Sequence, residues 1–267
     1  MNGHYPQLSL PNPRALFIPP PNHILLEADL AGADAQVTAH ECGGRFRSDF
    51  FSGVKMHVAT MQRFFPSLAE KQEPEYTRCK NFMYGTIYGG KPPTIAAESG
   101  APLSIVRAFQ PWLFSRYPEI LTWQRAKTAE LFRTGGVGNA FGYRVYYFSR
   151  LDSVVPEALN WVPSSTVAEV CFRGIKAVRR AALSGVLPAL APSGYFSGAL
   201  LQVHDSALFT FPTSCWPQYA IAIRDLLHSI TVPYESDPLT IPWTMKASAR
   251  SWAHVEPVDW DSLEFPA

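Results

Sequence analysis

The sequence predicts an α+β protein, with strands towards the two ends of the chain and a helical insertion between them. Two observations carry this expectation. Short apolar runs that close on acids occur far apart, ILLEADL at 24–30 and ALLQVHDSALFTF at 199–211. The residues between them are punctuated as helices are, by prolines at helix starts and glycines at helix ends. At 267 residues, 47% hydrophobic and 17% charged, the chain can bury a full core and is unlike a disordered polymer.

The elements follow in order. Residues 1–22 are rich in proline and end in IPPPN, which reads as an extended lead-in. ILLEADL is a buried strand that delivers Asp29 at its end. Residues 31–70 read as mostly helical. Pro74 opens a helix over 75–88, closed by Gly89 and Gly90. Two further helices, 103–114 and 118–133, are separated at Tyr117-Pro118, because proline disfavours helix in the residue before it.

TGGVGNAFGYRVYYF (134–148) is a glycine-rich turn running into a strand. Thr166 and Glu169, three apart, match a capping box at the head of a helix reaching Ala182. PALAPSGYFSG (188–198) reads as a loop. Residues 199–211 form a hairpin turning at His204-Asp205-Ser206, followed by a helix over 216–229 and a strand over 240–248.

Charge and cysteine usage narrow the function classes. No apolar run approaches the roughly 20 residues that span a bilayer, and MNGHYPQLSLPNPR lacks the pattern of a secretory signal. Neither a membrane partner nor secretion is expected. Cys42, Cys79, Cys171 and Cys215 are scattered without a C-x-x-C pair, which fits free thiols in a reducing, cytoplasmic setting. Net charge is only +1. Its distribution is uneven: seven bases against two acids between Arg107 and Arg150, then three bases against eight acids from Leu201 onward. A basic middle can track phosphates while acids elsewhere bind cations.

The chemistry concentrates in a few residues. Asp29 and Asp205 sit at strand ends more than 170 positions apart. If one sheet joins those strands, the two carboxylates can hold a pair of hard divalent cations. Tyr76, Lys80, Tyr84 and Tyr88 recur every four residues along one helix face. A lysine flanked by aromatics offers a phosphate contact beside surfaces for stacking a base.

Together these segments resemble DNA polymerase family A, the DNA polymerase I-like enzymes. LLEADLAGADAQVTAH resembles that family's first motif, a strand ending in a metal-binding Asp. KNFMYGTIYGG resembles the second, the fingers helix, and LLQVHDSALF resembles the third, an apolar strand and His-Asp turn. Weaker matches in PNPRALFIPP, FGYRVYYF and NWVPSS extend the resemblance over nearly all of 8–253.

The resemblance implies a palm, an antiparallel sheet with flanking helices, plus a helical fingers insertion, with no thumb or exonuclease region before the first motif. The palm would comprise 1–60 and 134–267, and the fingers 61–133. It implies template-directed addition of dNTPs to a primer–template by two Mg2+ ions, with Mn2+ as the alternative. A thumb- or exonuclease-bearing subunit is an implied partner.

Position by position, Asp29 and Asp205 would be catalytic metal ligands, joined by the Leu30 carbonyl. Lys80 and His57 would meet the triphosphate, Tyr84 would influence dideoxynucleotide acceptance, and Tyr88 would lie at the nascent base pair. Asp34 would guard against ribonucleotides. Arg144, His204, Arg78 and Ser165 would contact DNA.

Four departures from the family pattern stand out. Tyr76 replaces an arginine four before Lys80, and Arg78 lies roughly 200° round the helix from Lys80. Asp34 replaces a longer Glu, Ser206 replaces the Glu after His-Asp, and Ser165 stands for a Gln. Reduced activity and weak grip on DNA are the expected consequences.

Overall fold

The computed structural model describes residues 12–68, 73–184, 187, 198–235 and 237–264. In chain order it contains β1 (His23–Leu30), α1 (Ala33–Cys42), α2 (Gly44–Phe51), α3 (Met56–Phe64), α4 (Glu75–Ile87), α5 (Pro92–Ser99), α6 (Leu103–Arg116) and α7 (Pro118–Thr134). There follow β2 (Gly136–Gly138), β3 (Arg144–Tyr146), α8 (Val155–Leu183), β4 (Gly198–Val203), β5 (Ser206–Pro212) and α9 (Trp216–His228). Short strands β6 (Thr231–Val232) and β7 (Leu239–Thr240), then β8 (Trp243–Ser248) and β9 (Glu256–Pro257), complete the order. The chain divides into two compact units, 1–31 with 168–231 and 240–267, and 32–167 with 232–239.

The first unit is built on a five-stranded sheet in the order β4-β5-β1-β8-β9, antiparallel at every pairing. Strand alternation separates its two faces. One carries Ile24, Leu26 and Ala28 of β1 with Phe209 and Phe211 of β5, all essentially buried. Here α9 stacks Trp216 and Tyr219 on Phe211. Gly174 of α8 approaches Leu227 and Trp243 so closely that a Cβ would lie 2.6 Å from the leucine. The opposite face gathers Leu25, Leu208 and Trp252 into a smaller cluster.

The second unit is helical. Phe82, Phe109, Leu113, Tyr117 and Ile120 centre a core contributed by α1 to α7. A neighbouring cluster joins Trp123, Leu131 and Val137 to Leu159 and Val162 of α8.

Most elements lie where the sequence places them, with instructive exceptions. The capping box at Thr166 and Glu169 is not a helix start: α8 begins at Val155, eleven residues earlier, and carries Pro163 in its interior. Thr166 is buried, and its hydroxyl donates to the Val162 carbonyl one turn back. Helix α5, for which the sequence analysis names no element, opens on Pro92 and Pro93, which suit a first helical turn. The strand expected over 240–248 is interrupted at Pro242, giving β7 and β8.

Ser206 belongs to β5 and pairs with Val203, so the hairpin turns on His204 and Asp205 alone. Residues 12–22 include one turn of 3-10 helix, Pro13–Leu16. The rest of the expected lead-in, 1–11, and the expected loop at 188–197 lie outside the described residues.

Candidate active site

The sheet brings the two sequence-identified carboxylates together. Asp29 pairs across the β1–β5 ladder with Ser206, the residue after Asp205. The Leu30 amide donates to the Asp205 carbonyl at 3.0 Å, tying the hairpin turn to the end of β1. His204 turns the chain with a φ of +54°, a left-handed conformation uncommon outside glycine, and is exposed. Both carboxylates are half-buried. Burial first, then the neighbouring Asp205 and Glu27 charges, push the Asp29 carboxyl above its ordinary range. Burial and the same two aspartates raise the Cys171 thiol to about 12, which keeps it protonated at neutral pH.

Two anionic oxygen donors held beside each other, with the Leu30 backbone at their junction, form a hard donor set that suits magnesium or manganese. Among the described residues no group of three or more His, Cys, Asp or Glu side chains gathers to hold a metal.

A supporting cluster escaped the sequence reading. Glu27 lies two residues before Asp29 on the same strand face and is buried. It accepts from the Trp252 indole at 2.8 Å and from the Arg14 guanidinium at 3.2 Å. Arg14 also lies 4.5 Å over the Trp252 ring. Lys246, directly opposite Glu27 on β8, is exposed, and both it and Arg14 oppose the upward push on Asp29. Strand alternation alone would have placed Glu27 beside Asp29; its partners, Arg14 thirteen residues before it and Trp252 225 residues after it, were not legible.

In the helical unit the Lys80 face of α4 is organised as the spacing implied. Lys80 is exposed, and among the described residues it has no ion-pair partner. The Tyr84 and Tyr88 rings are near-parallel, with centroids 6.3 Å apart. Burial chiefly, with the Asp34 charge adding, raises both phenols above their ordinary range. Thr38 locates Tyr88: their hydroxyls lie 3.3 Å apart, and Thr38 donates to the Asp34 carbonyl at 2.7 Å. Asp34 itself sits exposed in the first turn of α1.

The end of α4 is fixed from outside the helix. The buried Gln124 amide donates to the Thr86 and Ile87 carbonyls at 2.9 and 2.7 Å, satisfying groups a helix terminus leaves open. Gly89 follows at φ +77°.

Several assigned residues have partners the sequence did not show. The Tyr76 hydroxyl lies 3.0 Å from His57 Nε2, with the rings edge-to-face, so the residue replacing arginine ties α4 to α3. Arg78 pairs with Glu75 of its own helix at 2.9 Å. Arg144 pairs with Glu130 at 2.9 Å and also donates to Thr134. Ser165 accepts from Asn139 at 3.2 Å. The Ser206 hydroxyl donates to the Val203 carbonyl at 2.9 Å and adds no charge beside Asp205.

The fold is that of a polymerase palm carrying a helical fingers insertion. It superposes on the POL domain of Pol1 from M. smegmatis, solved in complex with DNA primer-template and dNTP, with a TM-score of 0.73 at 20% identity, covering 91% of this chain and 42% of that one. The chain belongs to DNA polymerase family A, whose family model matches residues 9–254. It is 25% identical over 248 residues to the DNA polymerase of Mycobacterium phage D29, covering 92% of this chain and 38% of the phage protein. It is 26% identical over 247 residues to DNA polymerase I of Pseudomonas aeruginosa, covering 89% of this chain and 26% of that protein. The chain thus spans well under half the length of these curated relatives.

Proposed function

We propose that this chain carries out template-directed DNA synthesis, adding dNTPs to a primer 3′ end by nucleotidyl transfer at a site that takes two divalent cations. The observation that carries this reading is the sheet register that sets Asp29 beside the Asp205 turn. Asp29, Asp205 and the Leu30 carbonyl would hold the ions. When bound, Mg2+ ions lower the pKa of the attacking hydroxyl and neutralise charge on the leaving pyrophosphate.

The remaining roles fall to the chain's own side chains. Lys80, free of an ion-pair partner among the described residues, presents a point charge to the triphosphate. Tyr84 and Tyr88 supply a paired aromatic surface against the new base pair, held in place by Thr38. Asp34, exposed one turn before Thr38, would exclude a 2′-hydroxyl, with a shorter reach than Glu. His204, exposed in its turn, meets the primer terminus. His57, Arg78, Arg144 and Ser165 act on substrate only by sharing or releasing the partners described above.

Those engagements favour a second reading, a weakened polymerase-like subunit that binds DNA and relies on a thumb-bearing partner. Ser206 supplies no third carboxylate, and Tyr76 occupies His57.

Single-nucleotide addition separates the two. The purified chain, given Mg2+ and each dNTP in turn on four templates differing in the first unpaired base, adds only the complementary nucleotide. Absence of templated addition on all four would overturn the proposal in favour of the subunit reading.

A further inference from the structure

The β2–β3 hairpin carries an aromatic array that none of the roles above uses. Strand alternation splits its second arm: Val145 and Tyr147 pack against the helical core, whereas Arg144, Tyr146 and Phe148 face outward. Tyr146 is 55% exposed, Phe148 is fully exposed and Tyr143, at the turn, is 54% exposed. Phe132, in the last turn of α7 just before the hairpin, is 53% exposed. Exposed large rings are normally scattered; four within 17 residues of one folded element mark an interaction surface.

The array is built rather than loose. Gly136 pairs directly with Tyr146, and a Cβ at that position would overlap the Val145 carbonyl oxygen and lie 3.0 Å from the Tyr146 ring. Only glycine lets the strand and the ring come so close. Arg144 lies 5.9 Å over the Tyr146 ring, and Glu130 and Thr134 fix the guanidinium in turn. Tyr146 therefore has a preset orientation. Arg125 and Arg133 of α7, the helix that runs into the hairpin, are exposed and have no ion-pair partner among the described residues.

We propose that Tyr146 and Phe148, assisted by Tyr143 and Phe132, form a stacking platform for unpaired bases of single-stranded DNA, the template ahead of the growing primer. Flat rings beside uncompensated arginines match a strand whose bases are exposed and whose backbone is anionic. A protein partner would leave those arginine charges unmatched unless it were itself acidic. A blunt duplex stacks all its base faces internally except those of its two end pairs, and so gives the rings little to stack on. The identification of the strand as template rests on the polymerase reading; the affinity for single strands does not.

The test compares the intact chain with Tyr146→Ala and Phe148→Ala, and with Phe51→Ala as a control ring exposed elsewhere in the same unit. Fluorescence anisotropy reads binding to oligothymidylate, to a primer–template with a long 5′ overhang and to a blunt duplex. A 2-aminopurine in the overhang reports stacking directly. Each hairpin variant loses roughly five- to tenfold or more in affinity for oligothymidylate and for the overhang substrate. Blunt-duplex binding and the Phe51→Ala protein are unchanged, and 2-aminopurine quenching by the intact chain weakens in both hairpin variants.

Equal loss on blunt and overhang DNA, or unchanged binding by both variants, overturns the platform. Oligothymidylate binding that depends on the two rings, in a chain that shows no templated addition, would uphold the platform while removing the polymerase reading.

Discussion

Asp29 and Asp205 are far apart in sequence, yet antiparallel pairing leaves them side by side with like charges and few compensating groups. That arrangement costs stability unless a cation relieves it, which is why the pair is proposed as a functional rather than a structural feature. Asp29→Ala or Asp205→Ala is expected to abolish primer extension without lowering the unfolding temperature, since each change removes repulsion. A drop of several degrees in a thermal melt would instead assign these residues a structural role.

Tyr84→Phe is expected to sharpen discrimination against dideoxynucleotides, measured as the ratio of kcat/KM for dNTP over ddNTP. An unchanged ratio would show that the phenol does not face the sugar.

At this scale the sequence was most informative about local placement: Asp29 lies near the end of β1, Asp205 in the hairpin turn, and Lys80 and Tyr84 on α4 with Tyr88 at its end. It was silent on Thr38 beneath Tyr88 and on the Trp252–Glu27–Arg14 cluster. Those contacts arise only once separate elements have come together.

Among elements, α8 shows how a local signal misleads. Thr166 and Glu169 have capping-box spacing, but a threonine inside a helix can bond the carbonyl four residues back, as Thr166 does. The helix also runs through Pro163, a residue type that usually interrupts one. In the same helix, Gly174 makes a clear prediction. In a solvent-exposed helix Gly→Ala adds up to about 1 kcal/mol of stability. Here the new methyl would meet the buried Leu227, so Gly174→Ala is expected to destabilise by about 1–3 kcal/mol in urea denaturation. A stabilised variant would mean the close packing of α8 against α9 is wrong.

Helices α2 and α6 are linked by Asp49, which accepts from the Tyr117 hydroxyl at 2.8 Å and from Arg116 at 3.3 Å. The Tyr117 hydrogen bond first, then the Arg45 and Arg116 charges, hold its carboxyl below the usual range. A carboxyl depressed in the fold contributes stability above its unfolded pKa and loses it as pH falls through its folded pKa. Asp49→Asn is therefore expected to melt lower at pH 7, with the gap to the parent closing in acid. A pH-independent gap would contradict the linkage.

For the whole molecule, the charge pattern seen in sequence is only partly available to a ligand. Of the bases between 107 and 150, Arg116, Lys127, Arg144 and Arg150 are paired with acids of the protein, leaving Arg107, Arg125 and Arg133 without ion-pair partners among the described residues. Sequence counts charges; folding decides which remain uncompensated. The fold class was legible because the family's motifs stand in order along the chain. The division into compact units at 31 and 167 was not, because it depends on contacts rather than on motif spacing.

The Asp29–Asp205 pair is proposed to work as a nucleotidyl-transfer site. Primer extension by the purified chain with Mg2+ and dNTPs, beside Asp205→Ala with a matched circular dichroism spectrum, tests it most directly. Extension by the parent chain and none by the variant is expected. Equal extension by both, or none by the parent even with Mn2+ and excess primer–template, would contradict it.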